Sequence, residues 1–208
     1  MKHLKFTLLA FSIIFATACK SDSKDEKTST ENVTETTVKY IVKPENTSLK
    51  WTAYKTTEKT PVGGEFTTLS FDKKEGSSPQ EALNGLEFSI PVSSLFTKDE
   101  VRDNKLKASF FGAMLDTKLI SGKIKYTDNK YIASITMNGV TNDLHLDVNI
   151  TEERRVTMEA TMKLKDWDAL GALESLNKVC YDLHKGADGV SKTWEDVAIE
   201  VNTYLREK

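Results

Sequence analysis

Residues 131–150, YIASITMNGVTNDLHLDVNI, decide the fold class. Apolar residues recur at every second position, first at Tyr131, Ala133, Ile135 and Met137, then at Leu144, Leu146, Val148 and Ile150. Successive side chains of a strand point to opposite faces, so each set lies on one face. Asn138-Gly139 is a turn signal between the two runs. His145 stands between two inward leucines and is expected to face solvent.

The same period extends outward in both directions. Leu49, Trp51 and Ala53 form one set; Leu86, Phe88, Ile90 and Val92 form another. Val156, Met158, Ala160, Met162 and Leu164 follow the central pair, and Val197, Ile199 and Val201 close the series. With Val62 to Phe71 and Leu119 to Tyr126 added, eight strands are predicted, separated by turn signals such as Asp128-Asn129-Lys130 and the Glu152 to Arg155 charge cluster. Antiparallel strands with one apolar face either close into a barrel or stack as a sandwich. Two helices interrupt the pattern. One opens at Thr97-Lys98-Asp99-Glu100 and runs towards Phe110, with Thr97 or Asp99 as its cap. The other is expected from Ala169 to Lys185, capped by Asp168 and stopped at Gly186, with Leu170, Leu173, Leu176, Cys180 and Leu183 along one stripe.

The N-terminus reads differently. Lys2 and Lys5 precede an uncharged run, Phe6 to Ala18, that ends in Ala16-Thr17-Ala18-Cys19. A basic start, a short apolar core and small residues before a cut site make a secretory signal peptide over residues 1–18. The core is shorter than the roughly 20 residues that span a bilayer. A Cys directly after the small residues resembles the lipobox of bacterial lipoproteins, which implies that Cys19 is the lipid attachment point. Residues 20–37, KSDSKDEKTSTENVTETT, hold a single aliphatic residue and are expected to form a disordered spacer after the lipidated Cys, so that 19–37 is a linker and 38–208 the domain. The expected location is the membrane surface, facing the periplasm or the outside of the cell.

The full chain carries 29 Lys and Arg against 31 Asp and Glu; removing the leader takes two Lys and no acid and leaves a formal charge of −4. No basic patch points to a nucleic-acid partner. Cys19 and Cys180 are the two cysteines, so a lipidated Cys19 leaves no intramolecular disulfide.

Several segments in order resemble the YceI-like domain family. They are Tyr40-Ile41-Val42 with Ser48-Leu49-Lys50-Trp51, then Val62-Gly63-Gly64-Glu65-Phe66, then Ile90 to Thr97. Arg102-Asp103-Asn104-Lys105-Leu106 with Phe110-Phe111 follows, and Thr136-Met137-Asn138-Gly139-Val140-Thr141 is the most distinctive. The resemblance implies an all-β-dominated fold: an eight-stranded antiparallel lipocalin-like barrel, here with two accessory helices. It also implies a binder of a long apolar or amphiphilic molecule, such as a polyisoprenoid or a fatty-acid derivative. Family members usually carry a His near the opening strand and another before Gly-Val-Thr. Here Pro44 to Ser48 hold none and Asn138 precedes Gly139, so no imidazole role transfers.

An eight-stranded barrel is about the size at which the interior either fills with side chains or holds one small ligand. Trp51, Phe66, Phe88, Phe110, Phe111, Ile135, Met137 and Met162 are the expected ligand-binding residues, and the flexible Met137, Met158 and Met162 suit a floppy chain. The alternative is a structural protein with a filled interior. A second alternative rests on Cys180 and His184, which share a face if the helix runs through both. They then offer two ligands to a metal or a thiolate–imidazolium pair, although Cys180 equally suits core packing and His184 a helix C-terminus. No hydrolase, phosphate-loop or zinc-protease motif is present, and no catalysis or cofactor is expected. Association into a homodimer stays open.

Overall fold

The computed structural model describes residues 38–116 and 118–208. The expected leader, Cys19 and the spacer lie outside the described residues. In chain order the elements are β1 (Tyr40–Ile41), β2 (Thr47–Lys55), β3 (Thr60–Phe66), β4 (Ser70–Phe71), β5 (Glu75–Gly76), α1 (Pro79–Leu83), β6 (Glu87–Pro91) and β7 (Leu95–Phe96). There follow α2 (Glu100–Lys105), β8 (Leu119–Thr127), β9 (Lys130–Met137), β10 (Val140–Thr151), β11 (Arg155–Lys163), α3 (Leu170–Val179), β12 (Asp196–Tyr204) and β13 (Arg206–Glu207).

Eight long strands carry the architecture, at the places the two-residue period predicts. They form one antiparallel sheet whose order is β4-β6-β8-β9-β10-β11-β12-β2-β3-β7. The two short strands at its ends show how it curls. β4 continues the chain of β3 yet pairs with β6, Phe71 opposite Phe88. β7 continues β6 yet pairs with β3, Phe66 opposite Leu95. Between these pairings the Thr67 N–H donates to the Ser94 carbonyl at 3.0 Å. The ends of the sheet therefore meet. The expected single strand from Val62 to Phe71 is corrected: it bends after Phe66, and the two halves take different partners.

The central hairpin forms as its sequence demands. Met137 pairs with Val140 across Asn138-Gly139, and both turn residues have positive φ, which Asn and Gly tolerate best. His145 is exposed, as expected.

The helical expectations need correction. Asp99 does cap α2, its carboxylate accepting from the Arg102 N–H at 3.0 Å. The α-helix then ends at Lys105 and widens into a π-turn over Leu106–Phe110, followed by a 3-10 turn over Phe111–Ala113. Asp168 does not cap α3: it adopts the left-handed conformation at the end of a 3-10 turn, and Ala169 occupies the cap position. α3 stops at Val179 rather than Lys185, and a separate 3-10 turn spans Asp182–His184. Its buried stripe starts from Ala169 and Ala172 and passes through Leu176 and Cys180. Leu170 and Leu183, expected inside, are 47 % and 58 % exposed.

One end of the barrel is sealed by elements outside the periodic runs. Ser78 caps α1, its hydroxyl accepting from the Glu81 N–H. α1 docks through Gly85 N–H to Ile124 O at 2.7 Å and Ile124 N–H to Leu86 O at 2.9 Å. β13, β1 and β5 make a small second sheet beside it. Leu83, Leu86, Val156 and Leu205 are buried here within a core cluster that also holds Val42, Ile124 and Met158. The opposite end carries α2, the π-turn and α3, over a second cluster built round Trp51, Phe110, Phe111, Met162, Trp167 and Leu176.

Candidate functional site: an apolar lumen

Between the two core clusters the side chains do not fill the barrel. A cavity of about 220 Å³ remains, partly open to solvent, with a wall that is almost wholly apolar. It exceeds the roughly 150 Å³ at which an apolar void already takes in benzene. All eight long strands contribute to its wall. On β12 the lining residues run from Val197 to Thr203, roughly 20 Å of strand at 3.4 Å per residue.

Two glycines explain why the lumen stays open. A Cβ on Gly64 would strike the Trp51 ring and the Thr97 methyl, and one on Gly122 would strike the Phe88 ring and the Ser134 carbonyl. Gly64 is the cross-strand partner of Trp51, and Gly122 that of Phe88. Each large ring thus folds over a bare stretch of the neighbouring strand. Bulk that would otherwise project to the barrel axis is laid against the wall.

Trp51, Phe66, Phe88, Phe110, Phe111, Ile135, Met137 and Met162 all line this cavity, as does Met158. The π-turn accounts for the neighbouring Phe110 and Phe111: its wider register buries both. Their rings meet edge to face at 5.0 Å, and Phe111 meets Phe66 at 6.3 Å. Sequence reasoning missed Val42 and Leu83 at the sealed end, Leu106, Leu173 and Leu176 under the helices, and Thr193 and Trp194 before β12. The inward parity of β12, extended backwards from Val197, reaches Glu195 rather than Trp194, so periodicity could not have found that ring.

Polar atoms near the lumen are mostly engaged elsewhere. Trp167 Nε1 donates to Ile135 O at 2.9 Å and Trp194 Nε1 to Thr56 O at 2.8 Å. Among the described residues Trp51 Nε1 is a buried donor without an acceptor. Buried Asp103 accepts from Thr97 N–H at 2.9 Å and Thr97 Oγ1 at 2.6 Å, tying α2 to the strand before it.

Cys180 and His184 sit close to one another but not on one continuous helix. Cys180 is buried, and burial pushes its thiol above the usual value, with Lys105 and Lys55 pulling the other way. Such a thiol stays protonated at neutral pH, which disfavours metal ligation and nucleophilic work. The His184 ring meets Thr193 Oγ1 at 2.6 Å; burial, then Lys55 and Lys105, hold its pKa below the ordinary value. Among the described residues no three His, Cys, Asp or Glu side chains are grouped to hold a metal.

Comparison with known proteins agrees with this architecture. A UPF0312 protein of Staphylococcus aureus (strain N315) is 34% identical over 73 residues, 35% of this chain and 43% of that protein. The matched stretch thus spans less than half of that relative. Among solved structures, a polyisoprenoid binding domain from Saccharophagus degradans superposes with a TM-score of 0.59 at 12% identity, covering 83% of this chain and 99% of that one. Burkholderia cenocepacia BcnA covers 79% of this chain and 98% of its own at 14% identity, with a TM-score of 0.48. The sequence pattern of the YceI-like domain matches residues 40–205, and with that span, from β1 to the residue before β13, the chain belongs to the YceI-like domain family.

Proposed function

We propose that this protein binds one long apolar or amphiphilic molecule, of the polyisoprenoid or fatty-chain class, in its barrel and carries or shelters it without chemical change. The observation that supports this reading is the unfilled lumen itself, an almost wholly apolar cavity with aromatic rings folded back over Gly64 and Gly122. Each CH₂ moved from water into such a space gains about 0.8 kcal/mol. Met137, Met158 and Met162 supply an adaptable wall. The fold shared with a polyisoprenoid binding domain agrees with that class of guest. Trp51, Phe66, Phe88, Phe110, Phe111, Ile135, Met137 and Met162 are the proposed contact residues. In the same proposal the chain is exported and tethered through lipidated Cys19, which holds the domain at a membrane where such molecules reside. Native mass spectrometry after gentle purification tests the binding. A hydrophobic adduct that leaves on delipidation is expected, and a ligand-free mass from every host would contradict it.

A further inference from the structure

The helix-covered end of the lumen carries two cations that the apolar wall does not use. Lys55 ends β2 and lies opposite Thr193 across an isolated antiparallel bridge. Directly opposite residues share a face of the sheet, so Lys55 leaves the same side as Thr193, which lines the cavity. Lys105 ends α2, one residue before Leu106, another lining residue. Both lysines are half-buried. Both act on the same neighbours, Cys180 and His184. Lys55 Nζ reaches the Leu183 carbonyl just past α3, and the π-turn that follows Lys105 packs on α3, so the two lysines flank the same end of the lumen.

Among the described residues neither Lys55 nor Lys105 has a carboxylate within 4.0 Å. Asp196 pairs with Lys59 at 2.7 Å, Asp182 with Lys185 at 2.8 Å, Asp188 accepts from Thr57 at 2.7 Å, and Asp103 accepts from Thr97 at 2.6 Å. Lys55 Nζ donates to Leu183 O at 3.0 Å, which uses one of its three donors. An anionic group seated between two half-buried lysines forms charge-assisted hydrogen bonds with both.

We propose that Lys55 and Lys105 receive the acidic head group, carboxylate or phosphate, of an amphiphile whose chain lies in the lumen; this rests on the binding function proposed above. The guest is then inserted chain first, with its head beside Thr193 and its tail running past Ala53 and Trp51 towards the sealed end. The test compares hexadecanoate, hexadecyl phosphate and the neutral hexadecanol, titrated at neutral pH into the delipidated protein. The native protein should bind at least one of the two anions about tenfold or more tighter than the alcohol; which anion is preferred separates carboxylate from phosphate. In Lys55→Gln and Lys105→Gln that ratio should fall towards unity, whereas Lys125→Gln, on the outer wall, should retain it. Reading a ratio within each variant separates head-group recognition from any general weakening of the barrel. Equal affinity of the native protein for all three overturns the head-group site and leaves the lumen reading standing. Discrimination that survives both lysine substitutions also overturns it. Failure of every probe to bind removes the lumen reading itself.

Discussion

The two ends of this barrel are built on opposite rules. At the sealed end, Leu83, Val156 and Leu205 are completely buried beneath α1 and the small sheet. At the helix-covered end, Leu115 is 70 % exposed, and Phe96, Leu119, Leu170 and Leu183 are also open to solvent. The first end is packed as a stopper; the second is a set of short helices over an apolar space. In the function proposed above, the expected route for a guest is between the short helices of that second end, where apolar side chains stand open to solvent.

Substitutions can break or sharpen that contrast. The largest effect is expected at the stopper. Leu205→Ala deletes a fully buried side chain that does not line the lumen and should cost about 2–5 kcal/mol in chemical denaturation. Leu170→Ser at the other end should stay within about 0.5 kcal/mol. Similar losses at both ends would erase the distinction. Next comes Gly64→Ala, which drives the Trp51 ring off its neighbouring strand. Overpacking of this kind costs about 1–3 kcal/mol, and the displaced ring should also lower the amount of bound hydrocarbon. Unchanged capacity would mean that the ring is accommodated without entering the lumen.

A smaller effect separates the ends by pH. Burial lowers the His184 pKa in the folded protein below its ordinary 6.5, helped by Lys55 and Lys105. The unfolded chain then binds that proton more readily, so this contribution to stability is complete above the unfolded pKa and is lost as pH falls through the folded one. Thermal midpoints should decline from about pH 7.5 to about pH 5.5, and less steeply in His184→Gln. The acids whose pKa values are lowered, Glu58, Glu75, Glu81 and Asp188, change stability only as pH falls from the ordinary carboxylate pKa downward, below this window. Parallel slopes in the two proteins would exclude His184 as the source.

The barrel wall was legible because its code is local. A period of two names the inward face of each strand, and Trp51, Phe66, Phe88, Ile135, Met137 and Met162, chosen from the strands, all line the cavity, whereas Phe110 and Phe111 come from the helical segment. The ends were not legible for the same reason. β1, β5 and β13 have two residues each, too short to show a period. α1 has five, and its signal is only Ser78-Pro79 followed by Glu81. The Asp168 reading failed because a residue favoured at helix starts also tolerates left-handed backbone, and here it makes that turn instead. Pairing of distant segments, such as β7 with β3, leaves no trace in either segment alone. The glycines that hold the lumen open were visible, but their role needed the cross-strand register that sets Gly64 opposite Trp51 and Gly122 opposite Phe88.

The most direct measurement is quenching of indole fluorescence by a dibrominated long-chain fatty acid. Trp51 and Trp194 line the lumen, whereas Trp167 is buried outside its wall. An open lumen predicts saturable quenching at one molecule per chain, much reduced in Trp51→Phe. Weak, non-saturating quenching equal to that of free tryptophan in the same solution would contradict it.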